Sequence, residues 1–190
     1  MELKIMFVGV GGQGTLLSSK ILGNAFIDER LDVKVSEVHG MSQRGGSVVT
    51  YVKCGESVRS PVVEKGDADV ILAFETLEAA RWAGYLKPGG KMIINTQRID
   101  PMPVITGAAD YPENIVEKIK GMADNVVAID ALSLAQQGGS SKAVNVVMIG
   151  AMTKYIGLSK ELIEKALKET VPAKFLEMNQ KAFDSGYNSI

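Results

Sequence analysis

LKIMFVGVGGQGTLLSSKILGNAF, residues 3–26, is the stretch on which the fold turns. Residues 3–8 are apolar strand formers, and they run straight into a glycine cluster at 9–14. From Thr15 to Glu29 the apolar residues Leu16, Leu17, Ile21, Leu22, Ala25 and Phe26 recur at roughly helical spacing. Gly9, Gly11 and Gly14 therefore satisfy G-x-G-x-x-G between a strand and a helix. Glycines let the backbone turn sharply and approach a phosphate, and a helix N-terminus offers free N–H groups. Glu37 ends the next strand, residues 32–38, where an acidic ribose ligand would sit. Taken alone, this is a free-standing Rossmann-like NAD or FAD binding pattern.

The next element argues against that reading. Only eight residues, 39–46, separate strand 32–38 from strand 47–53. A parallel crossover needs about a dozen or more residues. The two strands are therefore expected to be antiparallel neighbours, and the dinucleotide half-fold stops after one βαβ unit. The glycine turn is then either a tight bend that needs small residues or a surface facing something other than NAD.

The remaining chain reads as alternating strands and helices. Residues 57–63 predict a short strand interrupted by Pro61, after a turn at Gly55. Residues 70–74 are a buried-type strand, 75–86 a helix stopped by Lys87-Pro88-Gly89-Gly90, and 91–95 another strand. Residues 98–112 form a long loop with one short strand, and Pro112 opens a helix to about Gly121. Strand 126–129 and helix 132–137 follow. Residues 143–156 are apolar nearly all round, which marks a central helix. Ser159 caps a helix to about Thr170, and Pro172 starts a last helix that Gly186 ends. The expected architecture is one α/β domain, residues 1–190. It is three-layer α/β/α, with a Rossmann-like N-terminal βαβ unit, a mixed sheet and C-terminal helices.

Composition narrows the function. With 46% apolar and 23% charged residues, the 190-residue chain is ordinary for a globular protein. A net charge of −1 provides no basic excess for nucleic acid. The single cysteine, Cys54, forms no internal disulfide and suits a reducing, cytoplasmic setting. One thiolate also falls short of the four that normally hold an iron–sulfur cluster. The N-terminus reads as a first strand rather than a signal peptide, and no apolar run reaches membrane-spanning length.

Chemistry is concentrated in HGMSQRGGS, residues 39–47. His39, the only histidine, stands near Ser42, Gln43 and Arg44, with Gly40, Gly45 and Gly46 around them. The bland alternative is a solvated hairpin loop. The sharper reading is a rigid loop for an anionic group, because arginine offers a planar fork and glycine amides form anion nests. Glu75 and Asn95 each follow a buried strand at the same expected edge. Glu75 is equally explained as a helix N-terminal carboxylate. Asn145 reads as a helix cap, and Cys54 as a small core residue. Gly66-Asp67-Ala68 reads as a turn.

The stretches GVGGQGTLLSSKILGNA and EVHGMSQRGGSVVTYVKCGE closely resemble the γ domain of 2-oxoacid:ferredoxin oxidoreductases, the pyruvate/ketoisovalerate γ family. The indolepyruvate type is the branch it resembles most. The resemblance continues through DADVILAFETLEAARWAGYLKPGGKMIINT, SSKAVNVVMIGAM and VPAKFLEMNQKAF, nearly the whole chain. It implies oxidative decarboxylation of an aryl pyruvate to acyl-coenzyme A, CO2 and reduced ferredoxin. It also implies a hetero-oligomer in which a larger partner carries thiamine diphosphate, Mg2+ and iron–sulfur clusters. No G-D-G followed by N-N occurs here, so this chain alone is expected to be inactive. Its contribution would be loops closing the partner's active site: Gly9, Gly11, Gly12, Gln13, Gly14, His39, Ser42, Gln43, Arg44, Gly45, Gly46, Glu75 and Asn95. Of these, Arg44 is the leading candidate for pairing with an anionic substrate or coenzyme group.

Overall fold

A computed structural model describes residues 2–39 and 46–190. Six strands form one sheet: β1 (Leu3–Val10), β2 (Asp32–His39), β3 (Ser47–Gly55), β4 (Ala68–Ala73), β5 (Leu86–Asn95) and β6 (Val126–Ile129). Their order is β2-β3-β1-β4-β5-β6. Strand β3 runs antiparallel to both β1 and β2, whereas β1, β4, β5 and β6 are mutually parallel. The sheet is mixed, as expected, and the short connection after β2 produces the antiparallel pair. In a doubly wound dinucleotide fold the second strand lies beside the first. Here β3 takes that place, and helix α1 (Thr15–Asp28) carries the chain past it to the sheet edge.

Side chains alternate across the sheet with period two, so each face has its own core. Ile5, Phe7, Val52, Leu72 and Ile93 pack on one face. They meet α1, α5 (Ala131–Gln137), α6 (Val144–Thr153), α7 (Lys160–Thr170) and α8 (Leu176–Tyr187). Met6, Val8, Ile71, Ala73, Met92 and Ile94 pack on the other, against α2 (Thr76–Trp82) and α4 (Ile115–Lys120). The result is three layers. Every residue of α6 is buried, which accounts for its lack of a polar face.

Several local expectations are corrected. Residues 57–63 form no strand. The Val58 amide donates to Asp32 Oδ2 (2.9 Å) instead of a ladder, and Pro61 has no amide hydrogen to offer. Segment 98–112 holds a four-residue helix, α3 (Met102–Ile105), and no strand. Helix α4 starts at Ile115 because Asn114 adopts left-handed φ (55°), so Pro112 lies outside it. Helix α2 ends at Trp82, and β5 runs through Lys87-Pro88-Gly89-Gly90 with a register shift against β4. Gly186 does not end α8. It lies inside the helix because a Cβ there would sit 1.9 Å from the Val147 carbonyl oxygen of α6. Gly150 answers it from α6, where a Cβ would be 2.1 Å from the Phe183 carbonyl oxygen.

Candidate functional site

The parallel strands β1, β4, β5 and β6 end at one edge of the sheet, and antiparallel β3 begins there. The first glycine turn emerges from β1 at this edge. Gln13 bends back over it: Oε1 accepts from the Val10 amide (2.8 Å), and Nε2 donates to the Phe74 carbonyl oxygen (2.9 Å). Gly9 makes room for this side chain, since a Cβ there would lie 2.7 Å from Gln13 Oε1. Gly12 and Gly14 have φ of 95° and 81°, which disfavour any other residue. Gly14 also accepts close approach by Asn145, whose Nδ2 donates to the Gly14 carbonyl oxygen (3.3 Å). The Gly11 amide donates to the Gly46 carbonyl oxygen (3.0 Å), so the first glycine turn is joined directly to the residue before β3. Helix α1 then begins without a side-chain cap or an acidic residue in its first turn.

Asn95 continues this seam. It is fully buried; Nδ2 donates to the Phe74 carbonyl oxygen (3.0 Å), and Oδ1 accepts from the Ala131 amide (3.2 Å). Gln13, Phe74, Asn95 and Ala131 thus link the ends of the four parallel strands. Glu75 is also buried. It caps α2 by accepting from the Glu78 amide (2.9 Å), and takes further bonds from the Ile99 amide (3.2 Å) and the Tyr111 hydroxyl (2.5 Å). Burial, and then the Glu75 contact, push the Tyr111 phenol up to about 12. The Arg98 guanidinium lies 4.2 Å over the Tyr111 ring.

Gly9, Gly11, Gly12, Gln13, Gly14, Gly46, Glu75 and Asn95 all lie at this single edge. Glu75 and Asn95 spend their polar atoms on the protein itself. The His39 side chain and residues 40–45, which include Ser42, Gln43, Arg44 and Gly45, lie outside the described residues. Glu37 Oε2 accepts from Thr15 Oγ1 (3.3 Å) and Thr50 Oγ1 (3.2 Å), tying the carboxylate that suggested a ribose site to α1 and β3. With β3 in the second-strand position and Gln13 over Gly9, the dinucleotide alternative is not favoured. A groove of about 1030 Å3 opens beside the turn, lined by Gly12, Leu17, Ile99, Asn145 and Phe175 among others. Lys142 stands on its wall with no ion-pair partner among the described residues.

The sequence reading assigned Asn145 to capping. It instead pins α6 to the glycine turn, a contact across 131 positions of sequence that no local pattern announces. Cys54 is fully buried, and burial raises its thiol to about 11. Among the described residues, no three His, Cys, Asp or Glu side chains are grouped to hold a metal ion. No described helix is long and apolar enough to cross a membrane.

The profile of the pyruvate ferredoxin/flavodoxin oxidoreductase family matches residues 4–189. The chain belongs to this family. Two curated relatives come from Thermococcus kodakarensis. Indolepyruvate oxidoreductase subunit IorB is 43% identical over 97% of this chain and 94% of its own. The pyruvate/ketoisovalerate oxidoreductases common subunit gamma is 27% identical over 98% and 96%. The crystal structure of the keto/oxoacid ferredoxin oxidoreductase gamma subunit from Geobacter sulfurreducens superimposes with a TM-score of 0.73 at 26% identity, covering 98% of this chain and 96% of that one. The six-stranded mixed sheet and its flanking helices are thus the fold of this oxidoreductase family.

Proposed function

We propose that this chain is the small, γ-type subunit of a 2-oxoacid:ferredoxin oxidoreductase whose substrates are aryl pyruvates such as indolepyruvate. The observation that carries the reading is the near full-length similarity to an IorB subunit at 43%, against 27% for a pyruvate/ketoisovalerate γ subunit of the same organism. The complex would release the substrate carboxylate as CO2, pass the acyl group to coenzyme A and deliver electrons to ferredoxin. Thiamine diphosphate, bound with Mg2+, supplies the carbanion chemistry of such a reaction when present. Among the described residues no three His, Cys, Asp or Glu side chains are grouped to hold a metal ion, and the chain does not fit an iron–sulfur cluster. It has one cysteine, which is buried, and a cluster normally takes four thiolates. In this reading a larger partner subunit holds thiamine diphosphate, Mg2+ and the iron–sulfur clusters.

In this reading the chain acts through position rather than redox chemistry. The Gly11–Gly46 bond ties the first glycine turn to the residue that opens into β3 at the strand-end edge, the place where open α/β sheets present ligand-binding loops. That edge closes over the partner's active site. Arg44 pairs with an anionic group of the substrate or of coenzyme A, and Ser42 and Gln43 add polar contacts.

Anaerobic affinity purification from the source cells tests the assignment. A larger thiamine- and cluster-containing chain should co-purify, and the complex should reduce ferredoxin with indolepyruvate faster than with pyruvate or 2-oxoglutarate. Purification without such a chain would reject the assignment. An active complex that prefers pyruvate would reject only the substrate class.

A further inference from the structure

Helix α2 carries a second carboxylate, Glu78, that the proposed function does not use. Its residue is 1% exposed. Ser47 Oγ, from the first residue of β3, donates to Glu78 Oε2 at 2.5 Å. Trp82 Nε1 donates to the same oxygen at 3.3 Å, and Arg81 Nη1 pairs with Oε1 at 2.6 Å. Arg81 is half-exposed, so the ion pair reaches the surface. Immediately before Ser47, the Gly46 carbonyl oxygen accepts from the Gly11 amide. Two consecutive residues are therefore held from two sides, by β1's turn and by α2. The Gln13 bond to Phe74, directly before Glu75 and α2, fixes the distance between those two supports.

We infer that Glu78 is a positioning residue: through Ser47 it sets the backbone at Gly46 and Ser47, and with it the alignment of Gly46 and the first glycine turn against the partner's active site. A surface-exposed serine needs no buried carboxylate partner for strand formation, because its backbone is already laddered to Val10 of β1. The contact is also charge-assisted, a class of hydrogen bond that is shorter and stronger than a neutral one. Catalytic geometry tolerates little error, so a small shift at this point is expected to register in turnover as well as in stability. The inference rests on the proposed function for its catalytic consequence, though not for the contact itself.

The test uses Ser47→Ala, Ser47→Thr and Glu78→Gln in the assembled complex, with hydrogen exchange measured on the same samples. Ser47→Ala removes the hydroxyl that donates to a buried carboxylate, so Tm should fall by several degrees while the chain stays folded and subunit assembly is retained. Its kcat/KM for the 2-oxoacid should fall about tenfold or more, since displacement of order 1 Å can cost about a hundredfold. Ser47→Thr keeps the hydroxyl and should restore most of the rate. Glu78→Gln should follow Ser47→Ala. Peptides spanning Gly46 and Ser47 should exchange faster in both deficient variants, with α1 and α6 unchanged. If exchange, kcat and KM are all unaltered in Ser47→Ala, or if Ser47→Thr is as poor as Ser47→Ala, the positioning role is overturned and the subunit assignment stands. A wild-type complex that oxidises no 2-oxoacid overturns the assignment and the catalytic role together.

Discussion

Gln13 Nε2 donates to the carbonyl oxygen of Phe74 at 2.9 Å, so the side chain inside the first glycine turn fastens that turn to the end of the neighbouring parallel strand. The same Phe74 oxygen accepts from Asn95, which in turn accepts from the Ala131 amide. Four strand ends are joined in this way by two amide side chains. The space above Gly9, the first glycine of the turn, is taken by Gln13.

Removal of that side chain should be felt in stability. Gln13→Ala leaves the Val10 amide without its acceptor, at a cost of about 1–3 kcal/mol. In a chain of this size each kcal/mol lowers Tm by roughly 2–4 °C. Thermal unfolding followed by circular dichroism would show the drop. A wild-type Tm would mean that the turn holds itself.

The glycines of the turn should not be equivalent. Among the described residues Gly12→Ala meets no atom within 4 Å, and its positive φ costs about 1–2 kcal/mol. Gly14→Ala carries the same backbone strain and also drives a Cβ to 2.8 Å from Asn145 Nδ2. Urea titration should rank Gly14→Ala as the less stable of the two, with both still folded.

At the α6–α8 crossing the obstacle is backbone, which cannot swing aside. Gly186→Ala would place Cβ 1.9 Å from the Val147 carbonyl oxygen. Separating the helices to relieve this costs about 1–3 kcal/mol or more, and soluble yield and Tm should both fall. An undiminished Tm would contradict the observed close approach.

Alkaline pH should weaken the fold in two overlapping windows. Cys54 is raised from 9.0 to about 11 and Tyr111 from 10.0 to about 12, in both cases first by burial. Each group stays protonated in the folded chain after the unfolded chain has lost its proton. Stability is therefore fully present below the unfolded value and declines as pH rises toward the folded one. Cys54→Ala should flatten the decline between pH 9 and 11, and Tyr111→Phe that between pH 10 and 12, when urea midpoints are plotted against pH.

Arg44→Ala in the assembled complex tests the anion-pairing role directly. A charge-assisted contact is worth about 1.5–3 kcal/mol, so KM for the 2-oxoacid or for coenzyme A should rise about tenfold or more. Steady-state kinetics with each substrate varied in turn would show which. Unchanged KM and kcat would remove Arg44 from the site.

Much of the architecture was legible in the sequence because it rests on local rules. A strand, a glycine turn and a helix are each encoded within a few residues. The eight residues between the strands read at 32–38 and 47–53 are too few for a crossover, so the antiparallel pair, and with it the departure from a dinucleotide fold, followed from the length of that connection alone. The strand predicted at 57–63 failed because Asp32 supplies the Val58 amide from 26 positions away, which no propensity reports. The HGMSQRGGS stretch pointed to the family through residue identity.

By itself, then, the sequence determined the α/β class, the mixed sheet and the family, since these depend on spacing and local chemistry. Only the tertiary structure decided what the individual side chains do. It assigned Gln13 and Asn95 to a seam between strand ends, tied Glu75 to the Ile99 amide and the Tyr111 hydroxyl, and brought Asn145 to the glycine turn. It made Gly186 a packing contact rather than a helix stop, and it set Glu78 under Ser47. The physical reason is common to all of them. Each role is a hydrogen bond or a close approach between segments distant along the chain, and such partners exist only once the layers have been packed together.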